Sequence, residues 1–155
     1  MTSITKGLFS SETCEWATPQ SLFDTLDAEF GFTLDVCATR ENAKCTNYYT
    51  ETEDGLKQEW KGVCWMNPPY GREISKWVKK AKETAERGGG DVVVCLVPAR
   101  TDTKWWQEQA MHASEIRLIA GRVKFSGHKS GAPFPSAVLI FGTPKCPVVR
   151  RVVYE

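Results

Sequence analysis

Apolar residues recur along this chain in two alternating spacings, and the alternation sets the expected elements. Leu22, Phe23, Leu26 and Phe30 repeat at three- and four-residue intervals, the mark of one helix face. Thr18 is placed to cap that helix, Pro19 to be its first residue and Gly31 to end it. Residues 32–37 then read as a strand. Residues 62–66 read as a second, buried strand that runs straight into Asn67-Pro68-Pro69-Tyr70. Helical spacing returns over 73–87, where Ile74, Trp77, Val78, Ala81 and Ala85 share a face, and glycines 88–90 end it. The run DVVVCLV at 91–97 has the unbroken apolar character of a strand covered on both faces. A helix over about 103–113 follows, then strands at 115–119 and 123–125 around Gly121, a Gly/Pro loop, a strand at 136–141 and a β-prone end at 148–154.

Helices alternating with strands imply an α/β fold: a compact, mostly parallel, Rossmann-like sheet with helices on its faces and an antiparallel C-terminal end. In such a sheet ligands sit beyond the carboxyl ends of the strands. A length of 155 residues suits one domain over 1–155, with the small polar residues 1–14 loosely ordered. No internal repeat or low-complexity tract interrupts it.

Charge narrows the picture further. Twenty Lys and Arg against 19 Asp and Glu leave a formal charge of +1, so any nucleic-acid contact has to come from a local patch. No apolar run approaches the roughly 20 residues of a membrane span, and the first residues lack the apolar core of a secretory signal. Six cysteines without a C-x-x-C pair, and only His112 and His128 as histidines, argue against a metal site. Free thiols inside apolar runs, Cys64 and Cys95 among them, fit the cytoplasm.

The densest chemical signal is Asn67-Pro68-Pro69-Tyr70 directly after a buried strand. Two prolines also simply end a strand, because they cannot extend a ladder. The chemical reading is more specific. An exocyclic amine on a purine is a poor nucleophile because its lone pair is delocalised into the ring. The Asn67 amide oxygen and the Pro68 carbonyl can each accept one N–H, which favours the tetrahedral amine and aims its lone pair at an incoming methyl. Proline fixes φ and so points that carbonyl reproducibly. Tyr70 supplies an aromatic face for the base, and on that reading Tyr70→Phe is expected to keep most activity. A base inside a duplex cannot reach such a pocket, so flipping is implied.

Two further segments suit an activated methyl donor. Asp35, at the carboxyl end of the first strand and followed by Val36, Cys37 and Ala38, can meet the donor's amino-acid end or merely cap the strand. Trp16-Ala17-Thr18-Pro19 puts an aromatic ring before a helix N-terminus, which binds carboxylates readily. For DNA, one group is Arg72, Lys76, Lys79 and Lys80 beside the motif; a solvated helix face explains these lysines equally well. The other is Arg122, Lys124, His128 and Lys129 in a loop made mobile by Gly127, Ser130 and Gly131, expected to lie away from Trp16 and Asp35. Arg100, just past the central strand, is placed where a phosphate or substrate can lie. Trp105 and Trp106 read as core plus one partly exposed ring.

Together these motifs resemble a family. Trp16-Ala17-Thr18-Pro19, Leu34-Asp35-Val36-Cys37-Ala38, Asp54-Gly55-Leu56, Trp60, Asn67-Pro68-Pro69-Tyr70-Gly71 and Leu96-Val97-Pro98-Ala99-Arg100 occur in one order. Asp102-Thr103-Lys104-Trp105-Trp106, Gly121-Arg122-Val123-Lys124-Phe125 and the apolar strand from Pro135 to Phe141 continue it. The set is similar to the phage-type DNA N-6-adenine methyltransferases over roughly residues 12–142.

The resemblance implies an enzyme that moves a methyl group from S-adenosylmethionine to the N6 of adenine in double-stranded DNA. The setting it implies, for a phage-encoded protein, is the bacterial host cytoplasm; a monomer or weak homodimer stays open, the β-prone C-terminal end being a candidate edge strand that can pair. It makes Asn67, Pro68, Pro69 and Tyr70 the catalytic motif. Trp16, Thr18, Pro19, Asp35, Cys37, Ala38, Asp54 and Leu56, with Asn67, become the cofactor site, Asp54 being similar to the acid that takes the N6 of the cofactor's own adenine. The candidate nucleic-acid contacts, taken from charge and placement, are Arg72, Lys76, Arg100, Arg122, Lys124, His128 and Lys129. One departure stands out: Ala38-Thr39-Arg40 replaces the Gly-rich turn that follows the first strand in larger methyltransferases. Related motifs also serve enzymes that methylate RNA or the glutamine amide of proteins, and a DNA-binding module without turnover is the non-enzymatic alternative. No separate recognition domain is evident, so sequence preference falls to loops 39–60 and 126–135 or is relaxed.

Overall fold

The computed structural model describes residues 16–142 and 148–154; the expectation for residues 1–14, and Cys14 and Cys146, lie outside them. Helix α1 (Gln20–Phe30) precedes β1 (Leu34–Asp35), and a 3-10 turn (Gly55–Lys57) leads to β2 (Val63–Met66). Helix α2 (Ile74–Glu86), β3 (Val92–Pro98), the short α3 (Lys104–Glu108) with a 3-10 turn (Ala110–His112), β4 (Glu115–Ile119), β5 (Ser136–Phe141) and β6 (Val148–Val152) complete the order.

The strands form one six-stranded sheet in the order β1-β2-β3-β5-β4-β6. β1, β2 and β3 pair in parallel, and β4 pairs in parallel with β6. Only β5 runs against its two neighbours. This is the mostly parallel α/β sheet that the alternation implied, with the antiparallel pairings confined to its C-terminal part.

Strand periodicity divides the core. Val93, Cys95 and Val97 of β3 point to the face covered by α2 and α3, against Trp77, Val78 and Trp106. Val94 and Leu96 point to the other face, against Leu22 and Leu26 of α1, Trp65, Phe125 and Phe134. All of these except Trp77, Trp106 and Phe134, which keep a few per cent exposure, are at most 1 % exposed, and each such side chain stabilises the fold by about 1.5–3 kcal/mol. β3 therefore reads as continuously apolar because it has no solvent face. Trp106 is buried and Trp105 only half-buried, as their positions suggested.

Several sequence expectations are corrected. Pro19, not Thr18, occupies the cap position of α1, no side chain caps the helix, and the Thr18 hydroxyl is engaged elsewhere. The first strand shrinks from 32–37 to the two residues that pair with β2; residues 47–49 bond to its outer edge through Asp35 and Ala38, and the chain then turns into the site. The helix expected over 103–113 is one α-turn followed by a 3-10 turn. Residues 123–125 form no strand. Val123 and Phe125 are buried to fill the α1 face, but no ladder holds this segment, and only Ser126 forms a bridge, to Ala17. Gly31 ends α1 as expected, at φ 67° with its N–H on the Asp27 carbonyl.

Candidate active site

The parallel strands β1, β2 and β3 end on the same side, which places Asp35, Asn67 and the segment from Pro98 to Arg100 along one edge. Beyond β1 and β2 lies a cavity of about 640 Å³, walled by Trp16–Thr18, Asp35–Thr39, the 49–56 loop, Asn67, Pro69 and Trp77.

Asn67 follows β2 directly and faces the α1 side. Its amide nitrogen donates to the Trp16 carbonyl at 2.6 Å and to the Thr18 hydroxyl at 3.1 Å. Two acceptors on that side determine which end of the amide is nitrogen. The oxygen is turned the other way, where the Tyr70 hydroxyl reaches it at 2.9 Å. That hydroxyl also lies 3.2 Å from the Leu96 carbonyl, so one proton serves two acceptors. Burial raises the Tyr70 phenol far above its ordinary range, so it stays a neutral donor. The Tyr70 ring packs edge-on against Phe134 at 5.6 Å and Phe125 at 6.2 Å. Pro68 is buried behind this cluster and Pro69 lines the cavity.

On the cavity's other wall Asp35 is 2 % exposed. Burial lifts its carboxyl to about 6, against two backbone N–H bonds, from Lys44 at 3.0 Å and Cys37 at 3.3 Å, which favour the anion. Asp54 is the one non-glycine residue at positive φ among the described residues, at φ 57°, and its side chain caps the 3-10 turn through the Leu56 N–H at 3.2 Å. Aspartate tolerates this region better than most residues. Gly55 touches the first strand's exit: a Cβ there would lie 2.1 Å from the Val36 carbonyl oxygen. Trp60, fully buried, donates its indole N–H to the Gly55 carbonyl at 2.8 Å and stacks on Trp77.

A match to the family described as DNA N-6-adenine-methyltransferase (Dam) runs over residues 7–146. The chain belongs to this family. Among its relatives is the DNA N-6-adenine-methyltransferase of Haemophilus phage HP1, 30% identical over 141 residues, covering 85% of this chain and 80% of that protein. The DNA N-6-adenine-methyltransferase of Escherichia phage T1 is 36% identical over 108 residues, 67% of this chain but 44% of the T1 protein, so the chain spans under half of that relative. A putative methyltransferase of Escherichia coli K12, YfdM, is 38% identical over 64 residues, 36% of this chain and 70% of that protein. The crystal structure of a predicted O-methyltransferase, Atu636 of Agrobacterium tumefaciens, overlaps 66% of this chain and 46% of its own at 21% identity, with a TM-score of 0.39.

In this family member the residues singled out from sequence fall into three places. Trp16, Thr18, Asp35, Cys37, Ala38, Asp54, Leu56 and Asn67 all line the one cavity, and Pro19 does not. The cavity also takes in Asn42, Lys44, Tyr49, Thr50 and Glu51 from the irregular stretch and Glu73 from the start of α2, none of which carries a motif that spacing alone reveals.

The basic loop is not remote from Trp16, contrary to expectation. Ser126 donates its N–H to the Ala17 carbonyl at 2.9 Å, and His128 stacks on the Trp16 indole at 4.7 Å with 6° between planes. Phe125 and Phe134 abut the same indole at 5.1 and 5.2 Å. The apolar residues of 123–134 pull the loop down onto the α1 face, which brings its basic residues to the edge that carries Asn67. Lys124 and Lys129 are exposed, and Arg122 donates to the Ala132 carbonyl at 3.3 Å. Arg100 lies over the Phe134 ring at 5.5 Å.

The lysines of α2 are committed elsewhere. Lys76 pairs with Glu73 at 3.2 Å and Lys79 with Glu83 at 3.7 Å, while Lys80 donates to the Leu56 and Gln58 carbonyls over the Trp60 ring. Arg72 is exposed beside the motif. Among the described residues no group of His, Cys, Asp and Glu could hold a metal ion, and no helix is long and apolar enough to cross a membrane.

Proposed function

We propose that this chain methylates the N6 of an adenine in double-stranded DNA, taking the methyl group from S-adenosylmethionine and receiving the base flipped out of the helix. The observation that carries the reading is the Asn67 amide. With its nitrogen committed to Trp16 and Thr18, its oxygen accepts from Tyr70 and keeps a second lone pair, on a residue that lines the donor cavity. An amine N–H donated to that oxygen, and another to the Pro68 carbonyl, would pull electron density onto nitrogen where the bond to methyl forms. Tyr70, wedged by Phe125 and Phe134, offers a ring to the flipped base.

The residues around the cavity suit the donor. A volume of about 640 Å³ lies within the range of small-molecule sites, roughly 300–1,000 Å³. Asp35, Glu51, Asp54 and Glu73 give it an acidic lining for a cationic molecule, and Trp16 and Tyr49 supply aromatic surface for an adenine. When bound, the donor supplies a methyl on a sulfonium that leaves as a neutral thioether. The protein's own tasks are to hold the amine's protons at Asn67 and Pro68, to orient the base, and to exclude water from between base and donor. The proton released with the product amine passes to solvent.

Asn67→Ala tests the reading. Transition-state acceptors of this kind supply several kcal/mol, so kcat should fall by roughly 100-fold or more while S-adenosylmethionine still binds. Near-normal turnover by Asn67→Ala would sink it. Running the wild type on DNA, RNA and protein substrates from a methylation-deficient host separates DNA from the other acceptors. A protein that binds the donor and DNA but transfers nothing would be the binding module instead.

A further inference from the structure

Two acids that line the donor cavity carry lysine partners, Glu73 with Lys76 at 3.2 Å and Asp54 with Lys57 at 3.9 Å, whereas Asp35 has no ion pair among the described residues. Among the described residues that line it, four are acidic and one, Lys44, is basic. An acidic lining suits a sulfonium and an ammonium, and a single half-buried lysine in such a lining needs a separate cause.

The local chain fixes Lys44 firmly. Thr39 and Asn42 bond reciprocally, backbone to side chain, and close the turn that leads into it. Its backbone N–H is then pinned on the Asp35 carboxylate at 3.0 Å. Its ammonium turns away to the Gln20 amide oxygen at 2.8 Å, a neutral acceptor, and forms no ion pair with Asp35. An ammonium carries three donors, so this contact leaves two. Burial pulls the Lys44 ammonium below the usual lysine range, and the same burial raises Asp35. Each charge thus stands at a desolvation cost that its neighbour only partly offsets. One cation and one anion, adjacent but unpaired on one wall, match a zwitterion that brings both opposite charges on one carbon.

We infer that the Lys44 ammonium binds the α-carboxylate of the methyl donor, beside the Asp35 carboxylate that meets the donor's α-ammonium. This rests on the donor reading above and adds the residue that recognises the amino-acid end. The bland alternative is that Lys44 only braces Gln20 and the Asp35 turn.

The test uses the full chain and calorimetric binding of two probes, S-adenosylmethionine and its decarboxylated analogue, to the wild type, Lys44→Met and Lys44→Arg. A charge-assisted contact predicts that the wild type prefers the intact donor by roughly 10-fold or more. The preference would be telling, because the analogue carries the larger positive charge into an acidic cavity. Lys44→Met should lose most of the preference by weakening only the intact donor, and Lys44→Arg should keep part of it. Equal affinity of the wild type for both probes overturns the inference, and so does an equal loss for both in Lys44→Met. Wild type that binds neither probe overturns the donor reading and this inference with it. If Lys44→Met fails to fold, Lys44→Gln, which keeps a polar contact to Gln20 without the charge, takes its place with the same two outcomes.

Discussion

At the scale of single residues the site depends on hydrogen bonds that fix direction more than on charge. Asn67 is useful only if its oxygen faces the substrate, and the Trp16 carbonyl, the Thr18 hydroxyl and the Tyr70 hydroxyl all act on that orientation. Tyr70 is therefore more than a ring. Tyr70→Phe keeps the stacking surface but removes the donor to Asn67, so kcat should fall by roughly 2- to 10-fold, the worth of one neutral hydrogen bond, with DNA affinity unchanged. Steady-state kinetics on a duplex substrate checks this, and unaltered kcat would return Tyr70 to the purely stacking role that its sequence suggests.

Asp35 carries the pH dependence. Its folded-state carboxyl, at about 6, lies above the ordinary 3.8, so the folded protein holds this proton more tightly than the unfolded chain does. Its contribution to stability is thus greatest below pH 4, declines as pH rises towards 6 and is flat above; the whole change is about 3 kcal/mol. On the proposed reading donor binding runs the opposite way, because the incoming ammonium needs the anion. Affinity for S-adenosylmethionine should weaken as pH falls from 7 to 5, by up to about tenfold per unit below 6. A pH series of donor binding with Asp35→Asn as control should give a flat profile in the variant.

At the scale of elements, the segment from residue 49 to 60 shows how an irregular stretch is made rigid enough to bind. Trp60 anchors it from below through the Gly55 carbonyl, Lys80 of α2 ties the Leu56 and Gln58 carbonyls, and Gly55 lies against Val36. Gly55→Ala has no room for its methyl, so the loop that carries Asp54 must shift. Overpacking of this kind costs about 1–3 kcal/mol. A lower melting temperature together with weaker donor binding should follow, and a variant that binds the donor normally would detach this loop from the donor site.

The same stretch marks the limit of what sequence reveals. β3 and the two longer helices are legible because periodicity reports burial directly, and Asn67 to Tyr70 because two prolines after a strand are rare. The 39–60 stretch has no period; its order comes from single long-range bonds, so Lys44, Tyr49 and Glu51 could not be singled out. Residues 123–125 mislead for the opposite reason: their alternation reflects burial beneath a loop without any ladder.

At the scale of the whole molecule, a net charge of +1 leaves DNA attraction, on the proposed reading, to a local patch along one edge. Lys76 and Lys79 of α2 pair with glutamates one turn away and Lys80 is tied to two carbonyls, whereas Lys124 and Lys129 are exposed and have no carboxylate in ion-pair contact among the described residues. If these two meet phosphates, each removed charge should release about one fewer counterion, and the slope of log K against log salt should shrink by about 0.9 per residue. Base preference should hold, since phosphate contacts position without reading sequence. His128 differs from them, because it stacks on Trp16, whose carbonyl holds Asn67. Lys124→Ala and Lys129→Ala should therefore change the salt slope and leave donor affinity alone, while His128→Ala should disturb donor binding as well. DNA affinity across a salt series, with donor affinity measured on the same preparations, separates the two effects. An unchanged slope in both lysine variants would make these charges a solvated face, and the DNA contact would then pass to Arg72 and Arg100 on the same edge.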